Sequence, residues 1–367
     1  MRILLLSDIN SEHTQKWAVG LATTGIEVGI FSLTKADLTW FNQQKNTTYL
    51  NPGKGMNPNT RLSKIAYLKV IPELKKIIRI FNPDIVHAHY ATSYGLLANL
   101  SGFRPYFISA WGTDVMKFPE QNFINAAVLK NNLAKAAVVC ATSNTIKEYI
   151  HKVIDRPVEV VPFGVDLNDF KPTPVSENNK KKGLVISCIK SLEKIYCIDL
   201  VIKAFALVQQ NNPGLSLKLM IVGPGSELQN LKNLAQQLNI TNDVEFTGRI
   251  DFDKVPEYFN LSDIIVNISE YESFGVSVIE AMACEKPVIV SDTGGLKEIV
   301  DDGVNGIKVP VNNIPATVKA IEELILSEEK RKKMGVEGRK KVESLYKWED
   351  NLNLMIALYQ NNLKTEH

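Results

Sequence analysis

The chain has 367 residues, of which 45% are hydrophobic and 22% charged, and its formal net charge is +2. This length allows two domains with full cores. The near-neutral charge does not favour a nucleic-acid-binding protein, which usually has a marked basic excess. No apolar run reaches the roughly 20 residues that a membrane-spanning helix needs. Four cysteines without a Cys-x-x-Cys spacing indicate reduced, structural thiols and a cytoplasmic protein.

Short apolar runs alternate with amphipathic segments along the first half of the chain. This alternation predicts a parallel sheet covered on both faces by helices, and ligands of such sheets bind at the carboxyl ends of the strands. The predicted strands are 3–7, 28–32, 85–88, 106–110, 138–142 and 158–162, and the predicted helices include 14–24, 62–80 and 123–136.

Polar side chains follow three of these strands. Because the carboxyl ends of parallel strands share one edge, we expect the groups to converge on one rim; ordinary loops with capping side chains are the alternative. Side chains alternate along a strand, so at most one histidine of the third strand is expected to face a ligand. A metal pair is not expected, because no third ligand accompanies these histidines. The groups are His13 and Thr14, His87 and His89, and Trp111 and Asp114.

The predicted helix 62–80 combines an apolar stripe with several basic residues. We expect a domain-surface helix that packs its stripe inward. The alternative is peripheral attachment to an anionic membrane surface.

A segment rich in proline, asparagine and lysine, 171–182, predicts an exposed linker. We therefore expect an N-terminal domain at 1–168, a second domain at 169–347 and a final helix at 348–367 that packs back on the first domain. The alternation resumes after the linker and predicts two doubly wound Rossmann-like α/β domains that face a central cleft. The predicted strands are 184–188, 217–222, 244–247, 264–267, 287–291 and 306–309.

Two carboxylates, Glu272 and Glu280, flank a Ser-Phe-Gly-Val turn that opens a predicted helix, 276–283. Gly275 removes a side chain where this helix begins, so free backbone amides and the helix dipole can meet a phosphate. Glu272 precedes the helix and Glu280 is expected about two turns along it. The two carboxylates can then face opposite ends of a phosphate-bearing ligand, an arrangement that suits a nucleotide-sugar.

Lys190 and Lys194 follow the first strand of the second domain. Two ammonium groups can neutralise a diphosphate, and beside the two glutamates we favour this role over that of surface lysines. They balance the phosphate charge, so neither a metal nor a cofactor is expected. Two further loops are weaker candidates for donor contacts: Gly223 and Gly225 after one strand, and Arg249 and Ile250 after the next.

Together these residues resemble the family 4 retaining glycosyltransferases, which have the GT-B fold. The strongest match is the Glu272–Glu280 segment, supported by segments 162–166, 222–225, 246–249 and 301–306. The resemblance implies that Glu280 binds the ribose hydroxyls, that Glu272 binds the donor sugar and that both lysines hold the diphosphate. It also implies that the backbone amides of Phe274, Gly275 and Val276 meet the sugar and the diphosphate, and that the leaving phosphate accepts the acceptor's proton.

The chain departs from the family pattern at several positions. Lys190 stands where the family usually has arginine; lysine keeps the positive charge but lacks the bidentate fork of arginine. The phosphate motif also lacks its usual glycine near Cys197. Trp111 replaces a histidine often placed near the transferring sugar. Asp114, His87 and His89 are therefore candidate substitutes.

The resemblance implies a metal-independent hexosyltransferase that uses a nucleotide-diphosphate sugar, UDP-sugar favoured, and a glycan or lipid-linked acceptor. Cell-envelope polysaccharide or lipopolysaccharide synthesis is the expected setting, in the cytoplasm or on the inner face of the membrane, without a nucleic-acid partner. The alternative from another class is a non-catalytic subunit that binds sugar-nucleotide in a glycan assembly complex. An epimerase on the same fold has no evidence of its own here.

Overall fold

The computed structural model describes residues 1–37, 40–50, 67–174 and 183–365. The chain divides into two compact units. The first comprises Met1–Pro162 and the C-terminal segment from Asp350, and the second comprises Phe163–Glu349. The final helix, Trp348–Thr365, therefore begins in the second unit and continues in the first.

The first unit is an α/β domain in which strands and helices alternate along the chain. Its strands are β1 (Arg2–Leu6), β2 (Glu27–Phe31), β3 (Thr47–Tyr49), β4 (Ile85–His89), β5 (Tyr106–Ala110), β6 (Val138–Ala141) and β7 (Glu159–Val160). Its helices are α1 (Glu12–Thr23), α2 (Ile71–Phe81), α3 (Ser93–Ser101), α4 (Thr113–Met116), α5 (Phe123–Lys135) and α6 (Asn144–Val153). Short 3-10 helices lie at Trp40–Gln43, Tyr67–Val70 and Pro119–Gln121.

The strands of the first unit form one parallel sheet in the order β3-β2-β1-β4-β5-β6-β7. The expected count of six strands was too low by one, because β3 was missed. This strand has only three residues, none of them fully buried, so it leaves no apolar run in the sequence. Its pairing with Val28–Ile30 of β2 makes it a strand.

Helix α2 packs an apolar stripe into the first unit. Leu74, Ile77, Ile78 and Phe81 are buried, while the basic residues of the helix face solvent. The predicted inward packing of this stripe is confirmed for the described part of the helix. The predicted residues 62–66 lie outside the described residues. None of the helices that the structure describes is long and apolar enough to cross a bilayer.

The second unit repeats the architecture of the first. Its strands are β8 (Leu184–Ile189), β9 (Leu217–Val222), β10 (Val244–Gly248), β11 (Ile264–Asn267), β12 (Val288–Ser291) and β13 (Gly306–Val309). Its helices are α7 (Ile198–Asn211), α8 (Leu228–Gln237), α9 (Val255–Leu261), α10 (Val276–Ala283), α11 (Leu296–Ile299), α12 (Ile314–Ile325), α13 (Glu328–Leu345) and the start of α14 (Trp348–Thr365). Short 3-10 helices lie at Lys194–Tyr196, Thr241–Asp243 and Phe252–Lys254.

The second sheet is also parallel, in the order β10-β9-β8-β11-β12-β13. The strand order reverses direction between β8 and β11, as it does between β1 and β4 in the first unit. In open α/β sheets ligands bind outside the carboxyl ends of the strands at such a reversal. The prediction of two doubly wound Rossmann-like domains is confirmed.

Candidate active site

A lysine and a glutamate meet at the strand reversal of the second unit. Lys190 directly follows β8, and its ammonium group forms an ion pair with the carboxylate of Glu272, which lies in the loop after β11. The side chains are only 12% and 13% exposed. The ammonium also donates to Asn267 Oδ1 at 2.9 Å and to Ser269 Oγ at 3.4 Å. An ammonium has three N–H donors, so these three oxygens occupy all of them.

The ring of Tyr196 covers the ammonium group of Lys190. The distance from Lys190 Nζ to the ring centroid is 4.2 Å, within range of a cation–π contact. Burial raises the pKa of the Tyr196 phenol, and the nearby carboxylates of Glu272 and Glu193 raise it further. The phenol therefore stays neutral, and the negative charge beside Lys190 comes from Glu272.

Two glycines let a neighbouring loop pack directly on the backbone of the Lys190 loop. A Cβ atom on Gly223, whose φ is +138°, would lie 2.1 Å from the carbonyl oxygen of Lys190. A Cβ atom on Gly225 would lie 2.3 Å from the carbonyl oxygen of Leu192, which accepts from the backbone of Glu227 at 2.9 Å. These glycines thus position the lysine loop through backbone packing.

The loop that carries Glu272 is held in the same way. The carbonyl oxygen of Glu272 accepts from the backbone N–H of Gly295 at 2.9 Å, and a Cβ atom on Gly294 would lie 1.8 Å from that oxygen. Two residues later the ring of Phe274 is buried, 5.6 Å from the ring of Tyr346. The side chain of Phe274 therefore anchors the loop in the core.

Helix α10 begins immediately after this loop. Gly275 precedes it with φ at +115°, and no side chain caps the helix at that position. The amides of Val278 and Ile279 donate to the carbonyl oxygen of Gly275 at 3.0 and 3.3 Å. Those of Val276 and Ser277 precede the first helical hydrogen bonds and suit an anion. Glu280 is the fifth residue of α10 and is 8% exposed. The expectation that it lies about two turns along the helix is wrong, because the helix starts only four residues before it.

Asn267 was missed by the sequence analysis, although it connects the lysine to this helix. Its Oδ1 accepts from Lys190, and its Nδ2 donates to Ser277 Oγ at 2.9 Å in the first turn of α10. Ser269, also missed, has its backbone N–H bound to Ser291 Oγ at 2.7 Å. The available signal was the strand end itself, where polar residues interrupt the apolar run of β11.

The remaining predicted donor residues lie at neighbouring strand ends. Lys194 is exposed and begins the 3-10 helix that follows the Lys190 loop. Arg249 is exposed just after β10, whereas Ile250 packs against a small apolar cluster that contains Met220 and Val222. Cys197, near which the family usually has a glycine, adopts the left-handed conformation with φ at +49°. Its backbone therefore takes a conformation for which glycine is normally preferred.

The polar strand ends of the first unit come together as expected, but most of their side chains are buried. Thr14 Oγ1 lies 2.6 Å from Ser7 Oγ, and Ser7 Oγ lies 3.0 Å from Nδ1 of His89. These three side chains are at most 1% exposed. They form a hydrogen-bonded chain that joins α1, β1 and β4.

His87 lies on the same face of β4 as His89, with the two ring centroids 4.8 Å apart. The expectation that alternation separates these two side chains is wrong, because residues two apart on a strand share a face. The ring nitrogens of His87 contact Tyr359 Oη at 2.6 Å and Ser109 Oγ at 2.9 Å. Burial lowers the pKa of His87 to about 3, so this neutral ring is a bonded core side chain.

Trp111 is the centre of an aromatic group at the rim of the first sheet. The ring of His89 lies 4.6 Å from it in a tilted arrangement, and the edge of His13 approaches it at 5.8 Å. The ring of Tyr90 lies 5.4 Å from Trp111 and is partly exposed. Burial lowers the pKa of His13 to about 4, and the charge of Lys16 contributes. A neutral His13 therefore borders Trp111 at neutral pH.

Asp114 binds the backbone of two loops. Its Oδ2 accepts from the N–H of Ala91 at 2.7 Å, and its Oδ1 accepts from those of Gly112 at 2.8 Å and Trp111 at 3.3 Å. Burial raises the pKa of Asp114, while these backbone donors lower it. The carboxylate is 3% exposed and ties the loop after β4 to the loop after β5. Within the described ranges, no group of three or more His, Cys, Asp or Glu side chains could hold a metal ion.

Two family models match this chain: Glycosyl transferases group 1 over residues 169–341 and Glycosyl transferase 4-like over residues 2–143. The chain is 30% identical over 297 residues to the putative glycosyltransferase EpsD of Bacillus subtilis, with 74% of this chain and 75% of the relative covered. The chain belongs to the group 1 glycosyltransferases. It is therefore an enzyme that transfers a glycosyl group.

Solved structures agree on the fold of this glycosyltransferase. Sucrose-phosphate synthase from Thermosynechococcus elongatus matches with a TM-score of 0.86 at 22% identity, over 100% of both chains. Anabaena Alr3699/HepE, solved in complex with UDP-glucose, matches with a TM-score of 0.80 at 20% identity, over 98% of this chain and 99% of that one. These likenesses support the two Rossmann-like domains.

Proposed function

We propose that this glycosyltransferase is a retaining enzyme that moves a hexose-type sugar from a nucleotide-diphosphate sugar to a glycan or lipid-linked acceptor. The observation that carries the proposal is the contact of Lys190 with Glu272 at the reversal between β8 and β11. A cation that suits a phosphate and a carboxylate that suits sugar hydroxyls lie side by side there, as the link between a sugar and its phosphate requires.

The other predicted donor residues surround this pair. Lys194 presents an exposed ammonium on the same loop for the diphosphate, and the first amides of α10 offer donors for its oxygens. Glu280 on α10 binds the ribose hydroxyls, and the backbone at Arg249 and Ile250 meets the base. UDP is the favoured carrier, because a protein of the same fold has been solved with UDP-glucose.

The proposed reaction needs neither a metal nor a cofactor. The bond between the anomeric carbon and the donor phosphate oxygen breaks, and the acceptor oxygen forms its bond to that carbon on the same face. The acceptor's proton passes to the departing phosphate oxygen, so no side chain serves as base. Lys190 and Lys194 stabilise the charge that develops on the diphosphate, and Glu272 orients the sugar.

The first unit supplies the acceptor side in this proposal. His13 and Trp111 form the rim that contacts the acceptor, since they belong to the aromatic group at the strand ends. Thr14, His87 and Asp114 position that rim through their buried hydrogen bonds. The proposed setting is the synthesis of cell-envelope polysaccharide or lipopolysaccharide in the cytoplasm, with peripheral contact to the inner face of the membrane.

Thermal-shift measurements against a panel of nucleotide-sugars test the donor site. We expect one nucleotide-sugar to stabilise the protein well above its bare nucleotide, which identifies the base and the sugar. Glu272→Gln should reduce the extra thermal stabilisation that the sugar adds to that of the bare nucleotide. Lys194→Ala should weaken binding of the diphosphate. Lys332→Ala, at a side chain that is 75% exposed on α13, is the matched control and should bind like wild type.

Product analysis with that donor tests the reaction. Retention at the anomeric carbon, read by NMR, and full activity in a chelator are the expected results. Full transfer activity in both Glu272→Gln and Lys194→Ala would contradict the site assignment. A protein that binds donor tightly but transfers sugar to no envelope acceptor would instead support the non-catalytic subunit.

A further inference from the structure

The hydrogen bonds of the Asn267 side chain have a direction that the neighbouring lysine imposes. The ammonium group of Lys190 can only donate, and it lies 2.9 Å from one end of that side chain. This end must therefore be the carbonyl oxygen, Oδ1. The amide nitrogen of Asn267 then faces Ser277 Oγ at 2.9 Å, and an amide NH₂ group can only donate. Ser277 Oγ is therefore the acceptor in this contact.

The hydroxyl proton of Ser277 is consequently not used by Asn267. A serine hydroxyl has one O–H donor besides its acceptor sites. A serine inside a helix often gives this proton to the carbonyl oxygen four residues earlier. Within the part of the chain that the structure describes, Ser277 makes no such bond, and Asn267 is the only hydrogen-bond partner of its side chain. Ser277 is partly exposed, so its O–H is accessible to a ligand.

This O–H lies next to the other groups that are proposed to bind the diphosphate. Ser277 is the second residue of α10, and a single side chain, that of Asn267, separates it from the ammonium group of Lys190. The side chain of Lys190 is 12% exposed and Asn267 is 5% exposed. Because the amide is buried between its two partners, water cannot replace either of them easily. The direction of the bonds from Lys190 to Ser277 is therefore fixed.

We propose that the hydroxyl of Ser277 donates a hydrogen bond to the diphosphate of the nucleotide-sugar, and that Asn267 is the positioning residue that keeps this hydroxyl a donor. The proposal rests on the proposed function, because it adds a contact to the same donor site. The oxygens of a diphosphate accept hydrogen bonds, and a donor to such an anion forms a strong one. A serine whose proton was bound elsewhere would instead turn its lone pairs toward the anion. While Lys190 keeps its bond to Asn267, it thus supports the diphosphate through its own charge and through the amide that orients Ser277.

Isothermal titration of the full chain with UDP, and in parallel with GDP, tests the contact at Ser277. Ser277→Ala should weaken binding of the diphosphate that wild type prefers about 10- to 100-fold, the range for a hydrogen bond to a charged group. Ser277→Thr keeps a hydroxyl and should stay within about threefold of wild type. Ser344→Ala on α13 is the matched control and should bind like wild type, because the exposed hydroxyl of Ser344 donates to the carbonyl oxygen of Lys341.

A double-mutant cycle tests the positioning role of Asn267. In Asn267→Asp both side-chain oxygens accept, so Ser277 should turn its O–H to the new carboxylate and away from the diphosphate. In that background the further change Ser277→Ala should weaken diphosphate binding by less than about threefold. Equal losses from Ser277→Ala in the two backgrounds would overturn the role of Asn267.

Uridine and guanosine separate a phosphate contact from general damage to the site. These nucleosides lack phosphate, so each should shift the melting temperature of Ser277→Ala as much as that of wild type. Equal losses of nucleoside and diphosphate binding in Ser277→Ala would overturn the proposal. Normal diphosphate affinity in Ser277→Ala would reject the role of Ser277 and leave the proposed function standing. If wild type bound neither diphosphate, the proposed function itself would fail.

Discussion

The ammonium group of Lys190 and the carboxylate of Glu272 are paired, although the two residues lie 82 positions apart in the chain. Glu272, Asn267 and Ser269 accept all three donors of this lysine. A diphosphate can therefore reach Lys190 only by replacing one of these acceptors, whereas the exposed Lys194 is accessible at once. Donor binding should release Glu272 from its pair, which makes its carboxylate available for sugar hydroxyls.

This pairing predicts a strong energetic coupling between the two side chains. Lys190→Met leaves a largely buried carboxylate without its cation, and Glu272→Gln leaves the ammonium without its anion, so each should cost about 2 kcal/mol of unfolding free energy. The double variant should cost clearly less than the sum. Urea denaturation of all four proteins measures the coupling, and additive losses would show that the pair is energetically unimportant.

Gly223→Ala should disrupt the loop that carries Lys190. A Cβ atom there would meet the Lys190 carbonyl oxygen at 2.1 Å, so we expect a loss of about 3 kcal/mol or more, together with weaker donor binding. Gly303→Ala is the matched control, because Gly303 also has a positive φ but its Cβ would meet nothing within 4 Å. The control should lose only about 1 kcal/mol. Similar losses in the two variants would reject the steric explanation.

Cys197 occupies a left-handed backbone conformation that suits glycine. Cys197→Gly should therefore be more stable than Cys197→Ala by about 1 kcal/mol, since both lose the thiol and only alanine retains the Cβ strain. Gly214, which has open space and no positive φ, provides the converse test. Gly214→Ala should be neutral or slightly stabilising. Equal unfolding midpoints for the two Cys197 variants would show that the strain is relieved elsewhere.

Asp114→Asn should destabilise the rim of the first unit. The amide keeps one oxygen, while its NH₂ group faces one of the backbone donors that the carboxylate now accepts. We expect a loss of about 2 kcal/mol and a raised KM for acceptor, because the loop that carries Trp111 shifts. The KM for donor should stay close to that of wild type. A lost kcat with normal stability and normal acceptor KM would instead point to direct catalysis by Asp114.

His87 should make the protein sensitive to acid. The free histidine has a pKa of 6.5, but that of buried His87 is about 3, so the unfolded state binds one more proton between these pH values. Stability contributed by neutral His87 is complete above pH 6.5 and falls as pH drops through this window, by up to about 1.4 kcal/mol per unit.

The variant His87→Leu isolates this contribution. It should be about 2 kcal/mol less stable at pH 7, because Tyr359 and Ser109 lose a bonding partner. Between pH 6.5 and 4.5 its unfolding free energy should change less with pH than that of wild type. The difference between the two slopes should correspond to nearly one bound proton. Urea titrations at several pH values measure both effects, with the exposed His151→Gln as control. An unchanged slope in His87→Leu would contradict the assignment.

Much of the fold was predictable because local patterns determine it. The strands Tyr106–Ala110, Leu217–Val222 and Ile264–Asn267 are predominantly apolar, with one polar residue each, as expected for the strands of a covered parallel sheet. Strand β3 was not predictable in this way, because it exists through its pairing with β2. In the sequence, the histidines of β4 looked like ligand-binding groups. Only the structure shows that they are core side chains bonded to Tyr359, Ser109 and Ser7.

The sequence by itself determined two α/β domains, the glutamate pair that flanks the turn into α10, and the lysines after β8. Apolar periodicity and short motifs are local, so they can be read without knowledge of long-range contacts. Only the tertiary structure decided that Lys190 and Glu272 touch, that Asn267 joins them to α10 and that Gly223 supports the lysine loop. The physical reason is the strand reversal between β8 and β11, which brings distant segments to one edge of the sheet.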